Sequence, residues 1–453
     1  MKTRVAINGF GRIGRNAFRV AFDRDDIEIV AINDLTNNEM LAYLLKYDTN
    51  YGAYHHEVSF EEGCIVVDGK KVPVSAEKDP ANLPWADRQV DVVIESTGLF
   101  VTAEKASAHI KAGAKKVVIS APAKDDETQT IVLGANEHDL ESYQGDIISN
   151  ASCTTNSLAA VMDILDQEYG IEKAMLTTVH SYTASQVLQD GPAKAMRESR
   201  AAAQNIVPST TGAAIAVAKT VPSLLGKFDG MSVRVPTSVV SLSDVTMLMK
   251  RDVTAEEVNA TLKKASKDLY YQGIVDYTDE ELVSSDYIGN SHSGTVDGAL
   301  TNVVDGNMLK VVVWYDNEWG YSNRLVELVA DVGNSLHGRR AEEQDADVPV
   351  VEVSEDTVND LDAGVAEVEA MENTGSWQPE ENVHTEPEMN SEPSGFNNAD
   401  YGQVQSQPAD EVQTDLPSEP QVSQDQAAQP AYPDQAQVAA EQNHQQDQEH
   451  QNY

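Results

Sequence analysis

Cysteine is scarce here: 453 residues contain two, Cys64 and Cys153. So few thiols exclude a disulfide scaffold and point to a cytosolic setting. No apolar run approaches the roughly 20 residues that span a bilayer. The opening MKTRVAINGFGRIG has no hydrophobic signal core. The expectation is a soluble cytoplasmic protein with no membrane contact. Lys and Arg are absent after Arg340, whereas 27 of the 74 acids fall there, supplying 27 of the 42 net negative charges. The preceding residues are only moderately acidic. Nucleic-acid binding needs cations clustered on phosphates, which this balance argues against. A salty habitat and a need for solubility explain the acidic excess equally well.

Residues 341–453 also differ in texture. Gln, Glu, Asp, Pro and Ser dominate and aromatics are sparse. Too little apolar surface is available to offset chain entropy, so an acidic, Gln-rich, disordered tail is expected. The fragments DVPVVEVSED and VAEVEAM could form transient strands or docking motifs, but a solvated bristle is the plainer reading. No partner for the tail is identified.

The remainder alternates short apolar runs with helical patterns. RVAIN at 4–8 reads as a buried strand, followed by a glycine turn, the helix-compatible RNAFRVAFDRD and a second strand IEIVAIND ending at Asp34. Those parts fill about 30 residues, one βαβ unit. DVVIES (91–96), KVVIS (116–120), TIVLG (130–134) and DIISN (146–150) continue the series, with KASAHIKAGA as a helix closing on Gly113. The alternation predicts an α/β fold with a Rossmann-type parallel sheet over residues 1–150. From ASCTTN onward, Leu158, Val161, Met162 and Leu165 form a helical stripe. The later runs MLTTVHSY, MSVRVPT, VVSLSDVTMLM and NMLKVVVWYD are longer and β-rich, predicting an α+β catalytic domain at 151–320 with a mixed or antiparallel sheet. SNRLVELVADVGNSLHG reads as a closing helix, about 321–338, packed back on the first domain. Residues 182–207 are polar and read as a long functional loop.

Gly9-Phe10-Gly11-Arg12-Ile13-Gly14 follows a predicted strand and opens a predicted helix, with Asp34 twenty residues after Gly14. A glycine pattern alone is weak, but in this context it is a dinucleotide fingerprint. Glycine lets the backbone turn tightly and approach a pyrophosphate, whose charge meets free N–H groups at the helix start. Asp34 then accepts from the adenosine ribose hydroxyls. Its charge near 4 Å from a 2′-phosphate costs about 1 kcal/mol per charge pair in water and about 4 at intermediate dielectric. No Lys or Arg follows in Leu35-Thr36-Asn37-Asn38, so NAD is expected and not NADP.

Ser152-Cys153-Thr154-Thr155-Asn156 precedes an amphipathic helix. A thiol there meets the positive end of the helix dipole, which lowers its pKa. Ser152 and Thr154 can hydrogen-bond an anion beside the sulfur. Of ten histidines, His180 in TTVHSYT is best placed to serve as base or as ion-pair partner. Cys64, on a strand-like run, reads as structural packing. No metal enters this scheme.

INGFGRIGR at 7–15, SNASCTTN at 149–156, TTVHSYTASQ at 177–186, STTGAA at 209–214, MSVRVPT at 231–237 and WYDNEWGYSNR at 314–324 together resemble phosphorylating glyceraldehyde-3-phosphate dehydrogenases. The resemblance runs continuously from residue 1 to about 338. It implies that Cys153 adds to the aldehyde, that His180 takes a proton as hydride passes to NAD, and that inorganic phosphate cleaves the resulting thioester. It implies that Thr183 and Arg234 hold the substrate phosphate, with the attacking phosphate near Ser152, Thr154, Thr211 and Gly212 and Arg200 nearby. Arginine suits phosphate because its planar fork binds oxygens in pairs. By the same comparison Asn317 holds the nicotinamide carboxamide, Tyr321 packs near that ring, and Arg12, Ile13 and Ser120 line the cofactor path. Leu35 and Pro192 match NAD-using members. A homotetramer is implied, with the 182–207 loop reaching a neighbour's cofactor.

Two positions and the tail depart from the family pattern. Ser157 stands where a second cysteine is often found, and Lys78 where many members have an arginine near the adenine. The acidic tail is not part of the common enzyme, and it lacks the cysteine pair on which regulatory extensions of some plastid relatives depend. Two other functions compete. Erythrose-4-phosphate dehydrogenases share the cysteine and histidine motifs but resemble HSAMHD after the histidine and lack the STTGAA stretch. The second alternative is a dehydrogenase core whose tail is an interaction module.

Overall fold

Val5 and Ile7 face one side of the first strand and Ala6 the other, and all three are buried. The same alternation recurs in Val92, Val93 and Ile94 and in Val117, Val118 and Ile119. A strand covered on both faces reads as a continuous apolar run, which is why these segments show no polar alternation. The computed structural model describes residues 2–338; the expectations for residues 341–453 lie outside them.

Among the described residues, nine strands form the first sheet, in the order Gln129–Thr130, Ile147–Ser149, Lys116–Ile119, Val92–Glu95, Thr3–Asn8, Ile27–Asn33, Lys70–Ser75, Cys64–Val67 and Val58–Glu61. Pairing is parallel from Gln129–Thr130 through Lys70–Ser75 and antiparallel for the last two strands. Strand order reverses at Thr3–Asn8, between Ile27–Asn33 and Val92–Glu95, and ligands of open α/β sheets bind at the carboxyl ends of strands there. Helix Arg12–Phe22 leaves from that point.

The second sheet is mixed: Val207–Thr210, Phe228–Val235, Ile171–Ser181, Ser241–Met249, Met308–Tyr315, Gly294–Asp297 and Val275–Thr278, with Asn302–Val304 also on Met308–Tyr315. Ile171–Ser181 pairs parallel with Phe228–Val235, and the register puts His180 opposite Arg234. Helix Trp319–Leu336 returns to the first sheet, where Gly333 lies against Thr3, and Gly338 (φ +71°) follows its end.

Some expectations change. TIVLG is not a strand throughout: pairing stops at Thr130, because the Asn136 side chain accepts from Val132 N (2.9 Å) and donates to Thr130 O (2.9 Å). Side-chain bonds of this kind compete with a sheet ladder. Cys64–Val67 is the strand-like run expected at Cys64, whereas strands Val58–Glu61 and Lys70–Ser75 beside it and helices Asn38–Lys46, Ala213–Thr220 and Ala255–Ala265 had no assigned pattern. The 182–207 segment is a loop tied internally, with Gly191 N donating to Ser199 O (3.0 Å) and Ala202 N to Val187 O (3.0 Å). Val207 already belongs to a strand.

A buried carboxylate anchors the glycine turn. Trp85 Nε1 donates to His109 Nδ1 (3.0 Å), so the imidazole proton is on Nε2, which donates to Glu95 Oε2 (2.9 Å). Asn8 Nδ2 donates to the same oxygen (2.6 Å), and Thr97 donates to Oε1 from its N–H (2.8 Å) and its hydroxyl. Four donors therefore compensate an anion that is 1 % exposed. The turn so fixed packs on Gly9 (φ +91°), where a Cβ would come within 2.8 Å of Thr97 N. Glu95→Gln would turn an amide NH2 toward donors, costing about 2–3 kcal/mol. A lowered Tm and weaker NAD binding are expected; an unchanged melting curve would contradict this role for the network.

Candidate active site

Ser152 caps helix Cys153–Tyr169, its Oγ accepting from Thr155 N (3.1 Å), and so places Cys153 as the first helical residue. Ala151 just before it has φ +54°, a left-handed conformation unusual for a residue with a Cβ. Such strain persists only where surroundings hold it, and here Tyr321 OH donates to Ala151 O (3.1 Å). From the second sheet His180 reaches the sulfur, with Nε2 3.5 Å from Cys153 Sγ. Tyr315 OH bonds Thr154 Oγ1 and Thr178 Oγ1, both at 2.8 Å, and so joins the helix start to the strand carrying His180.

A cavity of about 350 Å³ contains this pair. Of the expected site residues, Arg12, Ile13, Ser120, Ser152, Cys153, His180, Thr183, Arg234, Asn317 and Tyr321 line it. Asn317 is oriented by its neighbours: Oδ1 accepts from Ser181 Oγ (2.9 Å) and Ser241 Oγ (3.0 Å), and Nδ2 has no hydrogen bond among the described residues. Arg12 is less free than the sequence implied, since Asp48 and Glu318 both hold its guanidinium. Tyr51, whose hydroxyl donates to Asp316 (2.8 Å), lies beside that guanidinium. No local pattern marks Asp48 or Glu318, which come from segments remote in sequence.

The remaining expected residues do not line the cavity. The Thr154 hydroxyl is turned inward to Tyr315, so its side chain is not presented to a ligand there. Arg200 is exposed and bound to Asp190 (2.7 Å). Thr211 accepts from Ala213 N (3.1 Å), and Gly212 precedes helix Ala213–Thr220 without a side-chain cap. Lys78 is exposed.

At the glycine turn, Asp34 Oδ2 accepts from Phe10 N (2.7 Å) and Oδ1 from Thr36 N (2.9 Å), which fixes the carboxylate at the end of its strand. Gly11 caps helix Arg12–Phe22 without a side-chain hydrogen bond, and a Cβ there would meet nothing within 4 Å. At Gly14 a Cβ would lie 2.1 Å from Gly9 O. Gly14 is thus required by packing inside the chain. Gly11 leaves open space over uncapped helix N–H groups, which fits a pyrophosphate.

Electrostatics alter one expectation. The helix start was to lower the Cys153 pKa, but burial pushes the thiol up, against the Arg234 charge and bonds from Thr154 and the helix-start N–H groups. Burial, and then Arg234, pull His180 down to about 3, against the Ser181 carbonyl. Arg234 NH1 is 2.5 Å from His180 Nδ1. Burial opposes a charge on either partner. They can ionise together by moving one proton across 3.5 Å, which keeps the pair neutral overall. His180→Asn removes that partner, leaving a thiol that burial holds above its ordinary value. Alkylation of Cys153 by iodoacetamide at pH 7 is expected to slow at least about tenfold, with its midpoint moved to higher pH. An unchanged rate would show that the imidazole does not activate the sulfur.

Comparison with known proteins matches two stretches of the chain. Residues 3–103 match the family model for the glyceraldehyde 3-phosphate dehydrogenase NAD binding domain, and residues 152–317 that for the C-terminal domain. The chain is 52 % identical over 331 residues to glyceraldehyde-3-phosphate dehydrogenase 1 of Bacillus subtilis, covering 73 % of this chain and 98 % of that one. It is 51 % identical over 337 residues to the Streptomyces coelicolor enzyme (74 % and 100 %) and 52 % over 334 to that of Geobacillus stearothermophilus (74 % and 99 %). A glycine turn and a capped cysteine facing a histidine thus occur in a chain that belongs to the glyceraldehyde-3-phosphate dehydrogenase family.

Proposed function

We propose that the chain oxidises and phosphorylates D-glyceraldehyde 3-phosphate to 1,3-bisphosphoglycerate, with NAD as cofactor and a thioester on Cys153 as intermediate. The approach of Cys153 Sγ to His180 Nε2 at 3.5 Å, in a cavity that Arg234 and Thr183 also line, carries this reading. The sulfur adds to the aldehyde carbon, and the thiol proton, passed through His180, converts the carbonyl oxygen to a hydroxyl. NAD, when bound, supplies the two-electron acceptor. His180 then takes the hydroxyl proton as the carbon is oxidised, leaving the acyl group on sulfur. A phosphate oxygen attacks the acyl carbon, the C–S bond breaks, and the sulfur leaves as a thiolate beside protonated His180.

Arg234 and Thr183 hold the phosphate that the substrate carries throughout. Ser152 is the expected residue best placed for the attacking phosphate, since it lines the cavity beside Cys153. Thr154 would contribute through its helix-start N–H, and Thr211, Gly212 and Arg200 would act only on closer approach. Gly9, Gly11 and Gly14 shape the pyrophosphate turn, and Asp34 selects NAD by binding the ribose hydroxyls. Erythrose-4-phosphate dehydrogenation is not favoured, since the curated relatives above carry the glyceraldehyde-3-phosphate name.

The enzyme is proposed to act in the cytoplasm as a homotetramer. Met175, Ile215, Leu225 and Met308 are 63, 58, 69 and 48 % exposed and line one apolar groove, a surface that a second copy of the chain would cover. Arg234→Leu tests the phosphate assignment. Loss of a charge-assisted contact of about 1.5–3 kcal/mol lowers kcat/KM for glyceraldehyde 3-phosphate by about ten- to a hundredfold. Glyceraldehyde, which lacks the phosphate, reports the part of the loss that comes through the Arg234–His180 contact, and its loss should be the smaller by at least about threefold. Equal losses on both aldehydes would remove Arg234 from substrate phosphate binding.

A further inference from the structure

Outside the cavity, side chains from three segments converge. Asp23 is the C-cap of helix Arg12–Phe22, His55 and His56 follow strand Gly52–Ala53, and Asp68 occupies the turn after Cys64–Val67. Neighbours in an extended chain point to opposite sides, but the backbone bends at His55 and His56. Their rings stand 4.0 Å apart, centroid to centroid. Both Nε2 atoms approach one carboxylate: His55 lies 3.3 Å from Asp23 Oδ2 and His56 2.6 Å from Asp23 Oδ1. One ligand atom from each of the three residues lies within 4.8 Å of the others.

His56 is also held from behind. Its Nδ1 is 2.6 Å from Asp68 Oδ2, while Asp68 Oδ1 accepts from Glu57 N (2.8 Å). Phe22 and Tyr54 pack edge-on against the ring at 5.0 and 4.9 Å. A carboxylate on the far nitrogen is the usual partner of a metal-bound imidazole, because it fixes the tautomer that presents the other lone pair.

We propose that Asp23, His55 and His56 bind a divalent transition-metal ion of the zinc class, with Asp68 orienting His56. Bonds of about 2.0–2.1 Å in a tetrahedron place ligand atoms about 3.4 Å apart. The one ligand atom that each of the three residues offers lies within 4.8 Å of the others, so closing on an ion needs shifts of about an ångström, and the two imidazoles now approach different oxygens of Asp23. His55 is 69 % exposed and free to adjust, and solvent takes the fourth position. Two imidazoles select zinc, nickel, cobalt or copper over calcium or magnesium, which prefer oxygen ligands. The ion would clasp the end of the first helix to the loop after Gly52–Ala53. The site is separate from the proposed reaction and does not depend on it.

The test is calorimetric titration of the chelator-stripped full-length chain with Zn2+, in a Cys153→Ala background that removes the catalytic thiol as a competing ligand. One equivalent per chain with micromolar Kd is expected. His55→Ala and Asp23→Ala should each weaken binding at least tenfold, while His138→Ala, at an exposed His–Asp pair, should not. Zinc should raise Tm, and His55→Ala should abolish that rise without changing the zinc-free Tm. Trp319 lines the same cleft as His55, so Ni2+ should quench its fluorescence in the parent and not in His55→Ala. Zinc binding unaffected by His55→Ala would assign it to other carboxylates and histidines, including those beyond residue 340. That result, or no binding at 100-fold higher zinc than the expected Kd, would overturn the proposal.

Discussion

Burial of the Cys153–His180 pair constrains the rest of the site. Burial raises the thiol and lowers the imidazole, and a proton passed from one to the other ionises both without net charge, so their separation must be held closely. Three features hold it. The Ser152 cap fixes the helix start. The parallel register of His180 with Arg234 fixes the strand. The Tyr315 hydroxyl ties one to the other through Thr154 and Thr178.

The two sheets are joined at the same place. Arg12, at the start of the first helix, is gripped by Glu318, which follows Asn317. Asn317 is held in turn by Ser181, next to His180. Tyr321, one turn into the closing helix, supports the strained Ala151. The glycine turn and the cysteine helix thus share partners around residues 317–321. A cofactor on the first sheet and an aldehyde on the second would be aligned by these contacts without a further moving part.

Much of the fold was legible in the sequence, for identifiable reasons. Apolar runs such as RVAIN and KVVIS belong to strands covered on both faces, and the Leu158–Leu165 stripe marks a helix against a core. The glycine turn could be read because its spacing and Asp34 are local. Cys153 was singled out by its place before a predicted amphipathic helix and His180 by its place at the end of a β-like run, and the fold brings the two within 3.5 Å. Burial could not be read, and on the thiol it outweighs the lowering that the helix-start N–H groups still exert. Glu95 carried no signal, because its partners Asn8 and His109 are remote in sequence. Asp48 and Glu318 were missed for the same reason. Arg200 was drawn to the phosphate site by resemblance, whereas the fold places it on Asp190. Asp23, His55 and His56 carried no signal until the chain bend brought them together.

Whether one sulfur holds the acyl group can be measured directly. The protein is mixed with glyceraldehyde 3-phosphate and NAD without inorganic phosphate, quenched in acid and analysed by peptide mass spectrometry. The account predicts a phosphoglyceroyl adduct on the peptide containing Cys153 that disappears when phosphate is added before the quench. No adduct, an adduct on Cys64, or one indifferent to phosphate would contradict it.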